Sequence, residues 1–211
     1  MTYKNDRSIS QAVVRRLPRY YRYLGELMER GVTRISSSEL STGLGITASQ
    51  IRQDLNNFGG FGHQGYGYNV DYLHDQIGEI LGLTHAYPVI IVGAGNLGNA
   101  LARYEGFKKR GFHIQALFDI DPKVIGSKTG EHIVRDMKGI EEYLKKKPAQ
   151  IAMLTLTKSA AKEAADRLVK AGVPSILNFS SIDLAFPEEN VIIENVHLSD
   201  FLMILSYQLE N

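Results

Sequence analysis

Pro88-Val89-Ile90-Ile91-Val92-Gly93-Ala94-Gly95-Asn96-Leu97-Gly98-Asn99-Ala100-Leu101 reads as a short buried strand, a tight glycine turn and the opening of a helix. Gly93, Gly95 and Gly98 fit the G-x-G-x-x-G spacing of a dinucleotide site. In that reading Gly93 permits the tight turn, Gly95 lets the backbone approach a pyrophosphate, and Gly98 lets helix and strand pack closely. The N–H groups and dipole at the helix start would hold the negative charge. Glycines also serve ordinary turns, so the motif takes its meaning from its surroundings.

Downstream, a helix carrying Leu101, Tyr104 and Phe107 is expected to run to about Gly111. A second strand, Ile114-Gln115-Ala116-Leu117-Phe118, ends in Asp119, about twenty residues after the last glycine. That is the placement of an acid that accepts from the adenosine ribose hydroxyls, and it favours NAD over NADP because a 2′-phosphate would be repelled. Asp121 is the alternative acid, and a plain strand-end turn before Pro122 is the bland account of either. The alternation continues through a helix at 140–147, a strand at 151–155, a helix at 159–171, and strands at 175–179 and 191–193. Strands alternating with helices imply a mostly parallel sheet covered on both faces, with ligands at the carboxyl ends of its strands. Gly93, Asp119, Thr155 and Asn178 then share one crevice. In the last stretch Leu198, Phe201, Leu202, Leu205 and Leu209 form one apolar stripe, with Ile204 beside it. It packs either on its own sheet or on a second subunit.

Upstream, a helical pattern starts at Ser10 and carries Val13, Val14, Leu17, Tyr20, Tyr21, Leu24, Leu27 and Met28, with Pro18 early in it and Gly31 as its stop. Arg7, Arg15, Arg16, Arg19, Arg22, Arg30 and Arg34 crowd this region, read either as a solvated face or as a phosphate-facing one. Ser36-Ser37-Ser38-Glu39-Leu40 is a capping signal for a short helix that Gly43 or Gly45 ends. A second helix spans 46–57 with Thr47 as cap. The pair reads as a helix-turn-helix presenting Ser49, Gln50, Arg52 and Gln53, or as an ordinary helical hairpin. Phe58-Gly59-Gly60-Phe61-Gly62-His63-Gln64-Gly65-Tyr66-Gly67-Tyr68 tips the balance, since aromatic residues alternating with glycine suit a hairpin with its tip near His63 and Gln64. A hairpin after a recognition helix is the wing of a winged helix. Asn69 or Asp71 caps a closing helix, and 82–88 is a linker.

Composition bounds the rest. The chain has 211 residues, 44% of them hydrophobic and 22% charged, with formal net charge +1, so net charge points to no partner. It has no cysteine, which excludes disulfides and thiolate chemistry, and its histidines show no metal-ligand spacing. No apolar run is long enough to span a bilayer and the N-terminal residues lack an apolar signal core, so a cytoplasmic location is expected. No nucleophile with its base can be named, and little chain remains for a substrate domain. The cofactor is therefore expected to be sensed rather than used. A small NAD-dependent oxidoreductase with an N-terminal interaction module is the alternative.

The segments Arg16-Leu17-Pro18-Arg19-Tyr20-Tyr21-Arg22, Ser49-Gln50-Ile51-Arg52-Gln53-Asp54-Leu55, Phe58-Gly59-Gly60-Phe61-Gly62, the glycine turn, Phe118-Asp119-Ile120-Asp121-Pro122, Ile176-Leu177-Asn178-Phe179 and Glu194-Asn195-Val196 together resemble the Rex family of redox-sensing repressors over nearly the whole chain. The resemblance implies a homodimer with swapped C-terminal helices. Its winged helices would bind an inverted-repeat operator in double-stranded DNA when NAD+ dominates and release it when NADH rises. Genes of fermentation and respiration would be the targets. Tyr104 matches a tyrosine that responds to the nicotinamide state, and Arg22 an arginine at the junction of the domains. Gln53 stands where the family usually has lysine, Gln64 where a wing-tip base is common, and His197 where an aspartate that can pair with the arginine is usual.

The expected architecture is α/β: a winged-helix DNA-binding domain at 1–84, a Rossmann-type NAD(H)-binding domain with a parallel sheet at 85–196, and a C-terminal dimerisation helix at 197–211. The expected cofactor contacts are Gly93, Ala94, Gly95, Asn96, Leu97, Gly98, Tyr104, Asp119, Ile120, Thr155 and Asn178. For DNA they are Arg16, Ser49, Gln50, Arg52, Gln53, Phe61, His63 and Gln64, with Arg22 and His197 coupling the two domains. Neither a catalytic set, a metal nor a membrane is expected.

Overall fold

A computed structural model describes residues 9–63, 66–187 and 189–210. The chain divides into two compact units, Met1–Thr84 and His85–Asn211.

In the first unit, α1 (Gln11–Glu29) starts where the Ser10 side chain accepts from the Val13 N–H. Pro18 lies on its exposed side, where the missing N–H removes one rung of the ladder. Strand β1 (Arg34–Ile35) leads into α2 (Ser37–Leu44), opened by a full capping box between Ser36 and Glu39 and closed by Gly45 in the left-handed conformation. Thr47 then caps α3 (Ala48–Asn56). Strands β2 (Gly62–His63) and β3 (Gly67–Asn69) pair antiparallel, and β1 adds to the other edge of β3. Asn69, not Asp71, caps α4 (Val70–Ile80) through a bond from the Tyr72 N–H. The helical stripes meet in one core, where Leu17, Leu24, Ile51, Leu55, Leu73 and Ile77 are fully buried. Two residues long, β1 escaped the sequence reading because it has no periodicity to show.

The second unit opens with β4 (Tyr87–Val92), so the expected linker ends before Pro88. Pro88 is tolerated because β8 (Ile151–Leu154) pairs with β4 only from Val89 onward, and the Pro88 carbonyl accepts from the Gln150 N–H at 2.9 Å. Then come α5 (Asn96–Ala102), α6 (Glu105–Lys108), β5 (Phe112–Asp119), β6 (Lys128–Thr129), β7 (His132–Asp136), a 3-10 turn and α7 (Ile140–Lys146). After β8 follow α8 (Lys158–Lys170), β9 (Ser175–Asn178), β10 (Ile192–Asn195) and α9 (Leu198–Glu210). The strand order is β10-β9-β8-β4-β5-β7-β6, parallel except for β6 against β7. The order reverses between β4 and β8, which opens a crevice at the carboxyl ends of those strands.

One departure concerns the helix expected to run to about Gly111. It is two helices, broken where Tyr104 takes extended backbone angles and becomes the N-cap of α6. The Tyr104 ring lies over Gly106, leaving no room for a Cβ there, and meets Phe107 edge-on with centroids 5.0 Å apart.

The sheet's faces are covered unequally. Ile90, Val92, Ala116 and Phe118 pack with Leu144 of α7 and Leu168 of α8. On the opposite face Val89, Ile91 and Leu117 pack with Leu101 and Phe107. Beyond them, towards β9 and β10, a cleft of about 280 Å³ is lined by the buried Met153, the half-buried Leu177 and Ile192, the last 73% exposed. Helix α9 does not cover it. Its apolar side chains are 54–85% exposed, so the alternative of packing on its own sheet is not realised.

Candidate functional site

The glycine turn joins β4 to α5. Gly93 has φ +105°, a conformation that L side chains rarely adopt, and a Cβ there would also meet the Thr155 carbonyl. At Gly98 a Cβ would come within 1.9 Å of the Gly93 carbonyl oxygen, so α5 closes directly onto the turn. Thr155, just after β8, braces the same place by donating its Oγ1 hydrogen to the Gly93 carbonyl at 2.7 Å. At Gly95 the outcome is opposite, with nothing within 4 Å of a Cβ. Gly95, Asn96 and Leu97 are exposed at the start of α5, whereas Ala94 is buried.

Asp119 ends β5 and faces the turn. Its Oδ2 accepts from the Ala94 N–H at 2.6 Å, and its Oδ1 accepts from the N–H groups of Ile120 and Asp121 at 2.7 and 2.9 Å. The carboxylate is thus held at the rim of the crevice with acceptor capacity left for one more donor. Beside it lies an apolar cleft of about 120 Å³, lined by Val92, Ile120, Met137, Leu156, Ala160 and Ala164. Ile120 stands at its edge, 73% exposed. The sequence reading missed Met137, Leu156, Ala160 and Ala164, since small and apolar residues at helical spacing look like core. Arg167 of α8 closes that region by donating to Glu141 at 2.7 and 2.9 Å and to the Met137 carbonyl.

Two expected cofactor contacts are placed differently. Asn178 is fully buried: its amide nitrogen donates to Ile182 and Asn195, and its oxygen accepts from the Ser180 N–H and hydroxyl. All its polar capacity goes to closing the loop between β9 and β10. Tyr104 lines a cleft with His113, Gly130 and His132, near the starts of β5 and β7 rather than at the glycine turn. The residue is 56% exposed.

The first unit concentrates its chemistry on α3. Ser49, Arg52 and Gln53 are exposed and Gln50 is half-buried. Arg52 Nη1 donates to Ser37 Oγ at 2.7 Å, and the Ser49 and Thr47 hydroxyls lie 3.2 Å apart. Arg16 is turned inward rather than outward. Its Nε and Nη2 donate to the two oxygens of Asp54 at 2.6 and 2.8 Å. Arg19 donates to the Leu44 carbonyl at the end of α2. Phe61 packs edge-on against Tyr72, centroids 6.4 Å apart, fastening the hairpin to α4, and Arg34 lies over the ring of Tyr66. His63 is placed by its backbone alone in β2, and Gln64 lies outside the described residues.

Arg22 is exposed on α1, with no ion pair among the described residues. His197, between β10 and α9, has a carboxylate partner within its own unit: its Nε2 lies 2.8 Å from Asp183 Oδ1. The hydrogen bond to Asp183 raises its pKa above the ordinary histidine value, with a further contribution from Asp200. Asp183 sits in an irregular loop and carries no signal legible in the sequence.

Residues 8–56 match a family model described as "Putative DNA-binding protein N-terminus", and residues 84–182 one described as "CoA binding domain". The chain is 54% identical over 96% of its length to the redox-sensing transcriptional repressor Rex of Clostridioides difficile (strain 630), covering 96% of that protein. It is 54% identical over 95% of its length to the Rex repressor of Thermoanaerobacter sp. (strain X514), covering 89% of it. It also superposes on a crystal structure of RSP in complex with β-NAD+ and operator DNA, at TM-score 0.90 and 52% identity, covering 97% of this chain and 94% of that one. For RSP with β-NADH the TM-score is 0.89 at 50% identity, covering 97% and 95%.

Proposed function

We infer that this chain, which belongs to the Rex family of redox-sensing transcriptional repressors, binds operator DNA through its first unit and NAD+ or NADH through its second. The observation that carries this is the likeness, along nearly the whole chain, to a repressor crystallised with both β-NAD+ and operator DNA. The dinucleotide lies across the carboxyl ends of β4 and β8, with its pyrophosphate against the open backbone at Gly95, Asn96 and Leu97. Asp119 accepts from the adenosine ribose, and the adenine enters the apolar cleft between Ile120 and α8. The carboxylate favours NAD(H) over its 2′-phosphorylated counterpart. Thr155 and Asn178 act as braces of the crevice rather than as ligand contacts.

On the DNA side, α3 enters the major groove with Ser49, Gln50, Arg52 and Gln53, and the β2–β3 hairpin is the wing. The functional unit is a homodimer, as an inverted repeat requires. Support comes from the apolar side chains of α9, which the described residues leave 54–85% exposed, and from the apolar cleft beside β9 and β10. A second copy satisfies both by accepting a swapped α9. No described helix is long and apolar enough to cross a membrane, and we place the protein in the cytoplasm with its DNA.

Regulation is differential affinity: NAD+ and NADH favour different arrangements of the units, and only one matches two successive half-sites. Coupling runs through Arg22 and Tyr104. At the position where an aspartate is usual, His197 presents a carboxylate indirectly, through Asp183. The test is an operator-binding titration with an inverted-repeat duplex across NADH/NAD+ ratios. The expected result is specific binding under NAD+, release as NADH rises, and no consumption of NADH. Steady NADH turnover with a small substrate, or binding indifferent to the ratio, would overturn the reading. Release by an Asp183→Asn variant that matches the unaltered chain would overturn the coupling through Asp183.

A further inference from the structure

Asp54 is the one charged residue of α3 that is fully buried among the described residues, and it is surrounded by donors. Its Oδ2 accepts from Arg16 Nε at 2.6 Å and from the Tyr20 hydroxyl at 2.5 Å. Its Oδ1 accepts from Arg16 Nη2 and from Gln50 Nε2, both at 2.8 Å. Burial alone would push this carboxyl up, but the hydrogen bonds from Arg16, Tyr20 and Gln50 outweigh it and hold the group below the ordinary carboxylate range. Asp54 is therefore an ionised, acceptor-only group near neutral pH.

An acceptor-only neighbour has a consequence for Gln50. A glutamine amide has an oxygen and a nitrogen of nearly equal size, and only a partner decides which way it faces. A carboxylate can receive only the nitrogen. Gln50 lies one turn before Asp54, on the half-buried flank of the helix that faces DNA in the reading above. Among the described residues its Oε1 has no hydrogen-bond partner.

We propose that Asp54 fixes the reading orientation of Gln50, making it a pre-set adenine reader. Asp54 takes the amide proton pointing away from Oε1, and the other N–H stays beside Oε1 as a donor–acceptor edge. Adenine offers the complement in the major groove, N7 as acceptor and the N6 amino group as donor. Guanine offers two acceptors, N7 and O6, and would set O6 against Oε1. An amide free to turn can offer both its protons to guanine, so the clamp is what excludes guanine. It also removes part of the side-chain freedom that binding would otherwise have to quench. Through α1, the same carboxylate ties the reader to the body of the unit by Arg16 and Tyr20.

This inference rests on α3 being the recognition helix, and the experiment separates the two. Duplexes with randomised inverted-repeat half-sites are selected on the full chain under NAD+, and affinities for the enriched duplex are measured by fluorescence anisotropy. The unaltered chain enriches adenine at one position per half-site, and replacing it by guanine weakens binding on the order of ten- to a hundredfold. Gln50→Ala abolishes that preference. Asp54→Asn, whose side chain donates as well as accepts, reduces it about tenfold or more while the rest of the selected sequence stays. Because Asp54→Asn also loosens the tie to Arg16, the unaltered chain supplies a second reading by NMR without DNA. One side-chain amide proton of Gln50, assigned by its loss in Gln50→Ala, exchanges slowly with water. A folded Asp54→Asn variant with undiminished selectivity, or a Gln50 amide exchanging as fast as those of exposed glutamines, would overturn the inference alone. Failure of the unaltered chain to enrich any duplex would overturn the DNA-binding reading with it.

Discussion

Adding one methyl group at each of two neighbouring glycines separates packing from ligand approach. At Gly98 the new Cβ would lie 1.9 Å from the Gly93 carbonyl oxygen and 2.8 Å from Thr155 Oγ1. Real Cβ contacts essentially never fall under 3.0 Å, and the nearer obstacle is backbone, so α5 must move by roughly 1 Å or the turn must open. Overpacking of this kind costs about 1–3 kcal/mol in stability, and the displaced turn should weaken NADH binding about tenfold or more. At Gly95 nothing lies within 4 Å and the backbone φ is −72°, so alanine fits the free protein. Gly95→Ala should therefore melt with the unaltered chain and yet bind NADH at least tenfold more weakly, because its methyl would project into the position proposed for the pyrophosphate. Calorimetric melting and NADH fluorescence titration read the two quantities separately. In both variants the DNA-binding unit has its own core and should keep its far-ultraviolet helical signal. A Gly95→Ala chain that binds NADH as tightly as the unaltered one would refute the close approach of backbone to cofactor. A Gly98→Ala chain with unchanged stability would refute the packing argument.

Arg16→Met leaves Asp54 buried with only Tyr20 and Gln50 and should destabilise the first unit by roughly 1–3 kcal/mol, less than for a fully buried pair because 28% of the Arg16 side chain is exposed. Since the folded-state pKa of Asp54 is depressed, that stabilisation is present above its unfolded value near 3.8 and fades as pH falls through the folded value. Acid unfolding of Arg16→Met, followed by circular dichroism, should therefore begin at higher pH. The hydrogen bond to Asp183 raises the pKa of His197, so its contribution is complete below about 6.5 and is lost as pH rises through the folded value. NMR titration should place His197 above the ordinary histidine midpoint, and Asp183→Asn should lower it. Leu202→Asp with Leu205→Asp on α9 should turn a dimer into a monomer in light scattering, since both side chains are exposed in the single chain.

Much of the local structure was legible because its determinants are local. Ser10, Ser36 and Thr47 announce helix starts through bonds that reach only three residues along the chain. The strand, glycine turn and acid around Gly93 and Asp119 follow from spacing, since strand and helix repeats fix where each side chain must come. Irregular or very short pieces were not legible: the β6–β7 pair, the two-residue β1 and the break at Tyr104 lack a period to read. Tyr104 breaks the helix because its ring settles over Gly106, a contact that propensities do not contain.

The sequence by itself determined that a winged-helix pattern precedes a dinucleotide-binding α/β pattern, because hydrophobic periodicity and turn chemistry act over a few residues. Only the tertiary structure decided what individual polar residues do. Arg16 reads as one more surface arginine until the fold brings it, 38 positions along the chain, onto Asp54. Asn178 reads as a crevice residue until the returning chain satisfies its whole amide. The stripe on α9 reads as packing on its own sheet, or instead on a second subunit, until the fold is seen to leave it exposed. Burial and pairing depend on which distant segments meet, and no local pattern carries that information.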